Sequence, residues 1–353
     1  MINRKMGEFA MRGVLVAEYT EFQNLKVQDC PVPELAPGQV RIKTQAAGVS
    51  FATSLMVAGR YQRKPPLPFV PGTEAVGIVT EITPEVERLK VGDRVASVLD
   101  WGGLANETVA FEVNTFPIPD SLEFYRAICF TNSYSTSCAA LTWDHLLNVK
   151  AGETLLVHGG AGGVGIAAIE IGKILGATVI ATVGSDEKIA IAKEHGADHV
   201  INYREGPFRE KVLEITGGRG ANAIYDPVGG EVFEQSLRCI APEGRIMPVG
   251  FAGGTIQQIP ANLLLVKNIS VVGLNMGYYF GWSPDDVRHE YGPRMQALLA
   301  QLFAWFEEGK LNPRVSDVFA LADFQDAMAV VLGRLSKGRV AVVMNEEAER
   351  LGK

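Results

Sequence analysis

Short runs that mix apolar and polar residues dominate the first 120 residues of the chain. Proline- or glycine-containing segments such as PELAPGQ, PPLPFVPGT and KVGD separate these runs and set the turns between them. Each run carries β-branched and other apolar side chains over a length typical of a strand: MRGVLVAEY, QVRIKTQAAGV, EAVGIVTEI, DRVASVL and ANETVAF. Strands at this spacing predict a compact, mostly antiparallel barrel or sandwich.

A second pattern begins near Leu122. Residues 122–148 are helix-like, and strands then alternate with apolar helices through ETLLVHGG, GGVGIAAIEIGKILG, ATVIATV, DEKIAIAKEHG and HVINY. Strands that alternate with helices of about 10–15 residues predict right-handed βαβ crossovers and a parallel sheet with helices on both faces. The predicted fold class is therefore α/β, with a β-rich domain followed by a doubly wound parallel-sheet domain.

The chain ends in a tail of different character. A long amphipathic helix, RMQALLAQLFAWFEEGK, covers 294–310, a shorter helix follows, and the last strand is RVAVVM at 339–344. This strand has no parallel crossover partner nearby in the sequence. We therefore expect it to rejoin the N-terminal β-rich domain and to make that domain discontinuous.

Composition narrows the class of protein. Of the 353 residues, 47% are apolar, so the chain has enough apolar surface to offset chain entropy and is not intrinsically disordered. Its net charge of −7 and its pI near 5.4 argue against non-specific binding of nucleic acid. The longest stretch without charged residues, 246–266, contains glycines and prolines, so we expect no membrane span.

The cysteines and the N-terminal segment indicate the cellular compartment of the protein. The four cysteines are far apart and form no C-x-x-C pair, which predicts buried thiols in a reducing compartment. The N-terminal segment MINRKMGEFAMRG lacks both the apolar core of a signal peptide and the length of an amphipathic transit peptide. We therefore expect a cytoplasmic protein.

A glycine-rich turn carries the strongest chemical signal. Gly160, Gly162 and Gly165 have the G-x-G-x-x-G spacing, between a predicted buried strand and an apolar helix. Glycines allow the backbone to approach a pyrophosphate, whose charge is stabilised by the N–H groups at the start of the helix. The sequence therefore predicts a dinucleotide-binding domain.

The end of the next predicted strand indicates which dinucleotide the domain binds. An NAD-binding site places an acidic residue there to hold the ribose 2′-hydroxyl. This strand ends at Val183 and Gly184, and Ser185 is expected to cap the helix that follows. With the acids just beyond this point and Lys188 one turn into the helix, the pattern favours the 2′-phosphate of NADPH over NADH.

Longer segments on both sides of this motif resemble a known family. AAGVSFATSLMVAGRY, PFVPGTEAVGIV, HGADHVINY, ANAIYDPVGG and LRCIAPEGRIMPVGFAGG are similar to the zinc-free quinone oxidoreductase (zeta-crystallin-like) branch of the medium-chain dehydrogenase/reductase superfamily. The resemblance runs from about Met11 to Met344. It implies a discontinuous GroES-like catalytic domain at 11–135 and 284–346, and a Rossmann NADPH-binding domain at 136–283.

The resemblance also implies which residues contact the cofactor. It places the pyrophosphate against Gly162, Gly163 and Val164, and the adenosine 2′-phosphate among Gly184, Ser185, Lys188 and Tyr203. It places the nicotinamide and its ribose beside Gly250, Phe251 and Asn275. In chain order the implied cofactor-binding residues are Thr142, Gly162, Gly163, Val164, Gly184, Ser185, Lys188, Tyr203, Gly250, Phe251, Asn275 and Arg334.

No metal site is expected. Zinc dehydrogenases of the superfamily use a cysteine after the first sheet, a Gly-His-Glu motif and a four-cysteine lobe. Here the corresponding segments are GVSFATS, PGTE and WGGLANETVAF, which contain neither cysteine nor histidine. Zinc needs three or four converging ligands, and the five histidines are scattered through or after the Rossmann half.

Three residues are the candidates for catalysis. Tyr61 matches the tyrosine of quinone and enoyl-thioester reductases, and its hydroxyl could donate to a carbonyl oxygen that gains negative charge. Ser50 and Thr53 stand where family members usually have Asn-x-x-Asp. Ser50 keeps a hydrogen-bond donor, whereas Thr53 removes a carboxylate.

The predicted function is metal-free, NADPH-dependent transfer of hydride to a small electrophile, either a quinone or a related α,β-unsaturated carbonyl. One alternative is an enoyl-thioester reductase. A second is an NADPH-binding protein without turnover, in a structural or RNA-binding role, and the acidic pI argues against RNA.

The sequence also predicts an assembly. Residues 268–274, NISVVGL, are rich in valine and isoleucine and are expected to form the last strand of the parallel sheet. Apolar edge strands are normally covered or paired. We therefore expect a homodimer that joins these strands across a two-fold axis.

Overall fold

The computed structural model describes residues 10–344. Residues 1–9 and 345–353 lie outside this part, and with them most of the N-terminal segment discussed above and the predicted domain end at residue 346. The described residues divide into unit 1, comprising 10–132, 277–303 and 315–344, and unit 2, comprising 133–276 and 304–314. Residues 133–135 and 304–314, which the resemblance assigns to the GroES-like domain, belong to unit 2. Residues 277–283, which it assigns to the Rossmann domain, belong to unit 1.

The strands are β1 (Ala10–Val14), β2 (Val27–Pro31), β3 (Gln39–Val49), β4 (Glu74–Ile82), β5 (Arg94–Val98), β6 (Glu107–Phe111), β7 (Thr115–Pro117), β8 (Thr154–Val157), β9 (Thr178–Val183), β10 (His199–Asn202), β11 (Ala221–Asp226), β12 (Ile240–Pro248), β13 (Ser270–Val271), β14 (Val315–Ala320) and β15 (Arg339–Val343).

The α-helices are α1 (Phe51–Val57), α2 (Phe124–Cys129), α3 (Ser135–Thr142), α4 (Gly163–Ile174), α5 (Asp186–Glu194), α6 (Phe208–Ile215), α7 (Glu231–Cys239), α8 (Ala261–Lys267), α9 (Met276–Tyr279), α10 (Arg288–Glu307) and α11 (Phe324–Leu332). A π-helical stretch, Phe130–Tyr134, connects α2 to α3. Among residues 10–344, no helix is both long and apolar enough to cross a membrane.

Unit 1 is built on a mostly antiparallel sheet. Its strand order is β14-β15-β3-β4-β5-β7, β6 pairs with β3, and β1 and β2 form a separate two-stranded sheet. The long strand β3 is central because it pairs with β15, β4 and β6, all antiparallel. Alternate residues of β3, among them Val40 and Ile42, are fully buried in the core of the unit.

The last strand joins this sheet, but the prediction about its neighbours is wrong. β15 pairs with β3, as expected for a strand that rejoins the N-terminal domain. However, β15 also pairs in parallel with β14, and α11 forms the crossover between them. The sequence analysis overlooked β14 because its residues are only half-buried and show no clear alternation.

Unit 2 is a six-stranded, all-parallel sheet with the order β10-β9-β8-β11-β12-β13. Numbered within the unit, this is the order 3-2-1-4-5-6 of a doubly wound dinucleotide-binding domain. Central strands of such sheets are buried on both faces, which explains the continuous apolar run of β8. The predicted α/β fold class is confirmed.

The last strand of unit 2 is shorter than predicted. Only Ser270 and Val271 pair with β12, whereas residues 268–274 were expected to form the strand. Asn268 adopts a left-handed conformation with φ of 54° at the end of α8, so it cannot extend the strand toward its N-terminal side.

Candidate cofactor-binding and active sites

Gly160 and Gly165, in the glycine-rich turn between β8 and α4, have no room for a Cβ atom. Gly159 has a φ of 62°, and a Cβ at Gly160 would lie 2.8 Å from the Cβ of Ala181. A Cβ at Gly165 would collide with the carbonyl oxygen of Gly159. The backbone is therefore bare where α4 begins, and the first N–H groups of that helix are suited to bind a pyrophosphate.

Gly162 and Gly163 stand at the start of α4, as predicted. Gly162 is the extended N-cap residue and Gly163 the first helical residue. Val164 follows, and its carbonyl oxygen accepts a hydrogen bond from Ser137 Oγ at 3.0 Å. The three residues that the sequence assigned to the pyrophosphate are therefore adjacent at one helix terminus.

His158 directly precedes the glycines of this turn, and two side-chain hydrogen bonds hold its ring in place. It is fully buried, and its ring nitrogens lie 2.8 Å from Thr182 Oγ1 and from Ser236 Oγ. Since Ser236 donates its own proton to the carbonyl oxygen of Val232, it accepts from His158 Nε2, and Nδ1 accepts from Thr182. Burial lowers the pKa of His158, against the opposing charge of Asp226, so the ring is neutral.

The end of β9 brings together Gly184 and Tyr203. A Cβ at Gly184 would lie 2.5 Å from Tyr203 Oη, so the Tyr203 hydroxyl lies directly against this glycine. Ser185 is the N-cap of α5 and Lys188 follows within the first turn. Four of the predicted 2′-phosphate residues are thus grouped around one strand end, and this group is suited to a phosphate rather than to a ribose hydroxyl pair.

The loop after β12 carries Gly250 and Phe251, whose ring is 43% exposed. Two of its N–H groups donate to the segment after β11: Ala252 to Pro227 O at 3.0 Å, and Gly253 to Val228 O at 2.7 Å. The loops after β11 and β12 are therefore fastened to each other at the carboxyl end of the sheet, where doubly wound folds bind ligands.

Asp226 organises the first of these loops, and the sequence analysis did not select it. One carboxylate oxygen accepts from the N–H groups of Val228 at 2.8 Å and Gly229 at 3.0 Å. The other, Oδ2, is buried and has no hydrogen-bond partner among the described residues. An acid at the end of a buried apolar strand was the signal available in the sequence.

The remaining predicted cofactor residues are less closely grouped. Thr142 ends α3, and its hydroxyl donates to Cys138 O at 2.7 Å. Asn275 is exposed between β13 and α9. Arg334 lies in unit 1, just after α11, with a φ of 57°. Their contacts with a cofactor stay predictions.

Tyr61 follows α1 in a short loop of unit 1. Its backbone N–H donates to Leu55 O at 3.1 Å, and its ring packs against the apolar core of the unit. A tyrosine hydroxyl is already protonated at neutral pH, and burial raises the pKa of Tyr61 further. Among the described residues this hydroxyl has no hydrogen-bond partner, so it is able to donate to a ligand.

Side chains from three other segments hold the Tyr61 loop. Tyr19 lies under Gly59 and donates to Pro65 O at 3.0 Å. Arg63 donates to Asp100 at 2.7 Å, and the buried Arg288 donates to the same carboxylate at 3.1 Å. Sequence reasoning missed these contacts, since the residues are far apart in the chain.

Ser50 and Thr53 form a capping box at the start of α1. The Ser50 N–H donates to Thr53 Oγ1 at 3.3 Å, the two side-chain oxygens are 3.4 Å apart, and Thr53 is buried. Both residues therefore fix the first turn of the helix that leads into the Tyr61 loop. Their catalytic role stays a prediction.

Glu74, in the segment where zinc dehydrogenases have Gly-His-Glu, is occupied by other contacts. Its carboxylate pairs with the buried Arg339 and accepts from Thr131 Oγ1 at 2.8 Å. Within residues 10–344, no group of three or more histidine, cysteine or acidic side chains is arranged to hold a metal ion. The absence of a metal site in the protein stays a prediction.

Comparison with known proteins identifies the family of both halves. Residues 36–120 match the alcohol dehydrogenase GroES-like domain, and residues 163–294 match the family described as zinc-binding dehydrogenase. Quinone oxidoreductase-like protein 2 of Bos taurus is 38% identical over 330 residues, which cover 93% of this chain and 91% of that protein.

Quinone oxidoreductases are similar over almost the full length. The enzyme of Pseudomonas aeruginosa is 32% identical over 333 residues, covering 93% of this chain and 98% of that protein. The structure of Escherichia coli quinone oxidoreductase complexed with NADPH has 26% identity and a TM-score of 0.82, covering 94% of this chain and 99% of that one. The chain belongs to the zinc-free quinone oxidoreductase branch of the medium-chain dehydrogenase/reductase superfamily.

Proposed function

We propose that this chain is a metal-free reductase that uses NADPH to transfer hydride to quinones or related α,β-unsaturated carbonyls. The observation that most supports this proposal is the group of residues at the end of β9. There, the Tyr203 hydroxyl lies against Gly184, Ser185 is the N-cap of α5, and Lys188 is in its first turn. These residues suit a 2′-phosphate. The bare backbone of the glycine-rich turn suits the pyrophosphate of the same cofactor.

The chain's own residues then have distinct roles. When bound, NADPH supplies the hydride. Gly162, Gly163 and Val164 bind its pyrophosphate through backbone groups, and the fastened loop with Gly250 and Phe251 lines the nicotinamide side.

Tyr61 supplies the hydrogen bond that the reaction needs. A conjugated carbonyl gains negative charge on its oxygen as it is reduced, and a neutral hydroxyl that donates to this oxygen lowers the barrier. The Tyr61 hydroxyl, which no described residue engages, and the hydrogen bond from the Tyr61 N–H to Leu55 O support this role. Ser50 and Thr53 contribute by fixing the start of α1, which sets where the Tyr61 loop begins.

Steady-state oxidation of NADPH with a panel of acceptors tests the proposal. Quinones and 2-alkenals are expected to be reduced faster than enoyl thioesters. Faster reduction of enoyl thioesters would assign the chain to the alternative class of reductase. No oxidation of NADPH with any acceptor would contradict the proposed activity and leave a binding role.

A separate experiment tests whether the activity is independent of a metal ion. Activity is expected to survive dialysis against a strong chelator, because Glu74 is already paired with Arg339 and Thr131. Elemental analysis of the active protein should find less than one zinc per chain. Loss of activity on dialysis, with recovery on addition of zinc, would contradict it.

We further propose that the chain forms a homodimer through residues 268–274 and the adjoining helix α8. β13 lies at the edge of the six-stranded sheet, and no described strand pairs with its outer side. Leu265 and Val266 on α8 are 78% and 72% exposed, and Ile256 just before the helix is 71% exposed. Neighbouring apolar side chains beside an open sheet edge favour a covering partner.

Location in the cytoplasm is also a proposal. Cys30, Cys138 and Cys239 are buried thiols, and burial raises the pKa of Cys138 to about 11 and that of Cys239 to about 12. Protonated, buried thiols suit a reducing compartment. Cell fractionation with antibody detection tests this location.

A further inference from the structure

Asn202 connects two elements at the expected 2′-phosphate site. It is the last residue of β10 and lies beside Val183, the last residue of β9. Its side-chain Nδ2 donates to Asp186 Oδ1 at 2.8 Å, and its Oδ1 accepts from the backbone N–H of Arg204 at 3.1 Å. The Asn202 side chain is buried, whereas Asp186 is the exposed first residue of α5.

The negative charge of the Asp186 carboxylate opposes the binding of NADPH at this end of β9. It directly follows Ser185, the N-cap of α5, and is two residues from Gly184. A 2′-phosphate carries nearly two negative charges, so a nearby carboxylate that is free to turn toward it repels it. The same carboxylate could accept hydrogen bonds from a ribose 2′-hydroxyl, which is how acidic residues near this point favour NAD.

We propose that Asn202 determines cofactor specificity as a positioning residue: by binding Asp186, it keeps that carboxylate from the adenosine ribose and leaves the site to Ser185, Lys188 and Tyr203. The inference rests on the proposed use of NADPH. Asn202 is suited to the task because its amide offers a donor to Asp186 and an acceptor to Arg204 at once, which fixes its own orientation.

A purely structural role for Asn202 gives a different expectation. The bond to the Arg204 N–H caps the short 3₁₀ turn Tyr203–Glu205, and its loss would disturb Tyr203. Such a disturbance weakens NADPH binding but gives no reason for tighter NADH binding. Nor would it depend on the charge of Asp186.

Fluorescence titration of the purified protein with NADPH and with NADH separates the two roles. In Asn202→Val, we expect the Kd for NADPH to rise about tenfold and the Kd for NADH to fall several-fold, as expected for one unshielded charge near the protein surface. In Asp186→Asn alone, both constants should stay within about twofold of wild type. In the double variant, the NADPH-to-NADH preference should return close to the wild-type value.

Matched controls complete the design. Glu187→Gln removes the neighbouring charge on the same helical turn and should leave the preference unchanged. Melting temperatures with and without NADPH provide a second readout of binding. Asn202→Ala replaces Asn202→Val if the valine variant does not fold, and Asp186→Asn tests the inference without altering Asn202.

The outcomes distinguish this inference from the proposed function. Wild-type protein that binds NADH as tightly as NADPH, with Lys188→Ala weakening both equally, contradicts the proposed cofactor choice. A wild-type preference for NADPH that is unchanged in Asn202→Val, or changed to the same extent in the Asp186→Asn background, overturns the role of Asn202. A large effect of Asp186→Asn alone overturns it as well.

Discussion

The Tyr61 hydroxyl combines two properties of a hydrogen-bond donor to a developing oxyanion. It is neutral, as a tyrosine hydroxyl is at neutral pH, and it is not engaged by another described residue. Its backbone is fixed by the hydrogen bond to Leu55 O, and Tyr19 and Arg63 hold the rest of the loop. Such a donor is preorganised, so little reorganisation is needed when the substrate oxygen gains charge.

Removing this hydroxyl should therefore slow chemistry more than binding. In Tyr61→Phe, we expect kcat for a weakly activated enone to fall by roughly 10²–10³-fold, with the NADPH affinity nearly unchanged. Quinones accept hydride more readily and should lose less. Stopped-flow rates and NADPH titrations measure the two effects.

Tyr125→Phe serves as the matched control, because Tyr125 lies on α2 in the same unit. This variant should keep wild-type rates. Equal losses with all acceptors in Tyr61→Phe would indicate a packing defect, and full activity with every acceptor would exclude Tyr61 as the donor.

At the scale of elements, His158 joins three parts of unit 2. It follows β8, its Nδ1 accepts from Thr182 on β9, and its Nε2 donates to Ser236 on α7. The ring also lies edge-on to Phe208 on α6, with centroids 4.9 Å apart. Because its pKa is lowered by burial, the folded protein resists protonation of this ring.

The sign of the resulting pH dependence follows from linkage. The unfolded chain binds a proton at His158 below its ordinary pKa near 6.5, and the folded protein does not. The contribution of His158 to the free energy of unfolding is therefore complete above pH 6.5 and declines as the pH falls toward the lowered folded-state pKa. The decline amounts to at most ~1.4 kcal/mol per pH unit for this one proton.

Urea unfolding of wild type and His158→Gln at several pH values between 5 and 7.5 measures this contribution. We expect the variant to be less stable than wild type at pH 7.5 and the difference to shrink toward pH 5. Other titrating groups are common to both proteins and cancel in the comparison. A difference that is constant with pH would contradict the assignment of a buried, neutral His158.

At the scale of the whole molecule, the net charge of −7 keeps chains apart, whereas the apolar side chains on α8 favour association. Leu265 and Val266 are largely exposed next to the open edge of β13. Burying such side chains at an interface contributes about 25 cal/mol per Å² of apolar surface.

Charged residues at this place should separate the subunits. We expect wild-type protein to sediment as a dimer at micromolar concentration, and Leu265→Glu with Val266→Lys to sediment as a monomer that still binds NADPH. Val91→Lys, which changes another exposed apolar residue in unit 1, is the control and should remain dimeric. A wild-type monomer would contradict the proposed assembly.

Features that depend on residues close together in the chain could be predicted from the amino-acid sequence. The alternation of buried strands and helices after Leu122 predicts the parallel sheet, and the glycine spacing predicts the bare turn at the start of α4, because both properties repeat within a few residues. Apolar character alone did not predict the length of the strand within 268–274. Asn268 has a left-handed backbone conformation, and the strand has only two residues.

Which distant polar groups meet could not be predicted in this way, because it depends on how the strands and helices are arranged in space. Arg339 pairs with Glu74 across 265 positions, Arg288 with Asp100 across 188, and Asn202 reaches Asp186 only because β10 lies beside β9. A buried charge or amide must find a partner to offset the loss of water, but the chain sequence does not specify which partner comes within reach. Strand order and crossover geometry make that choice, and they bring Asn202, which belongs to no motif in the sequence, to Asp186 at the start of α5.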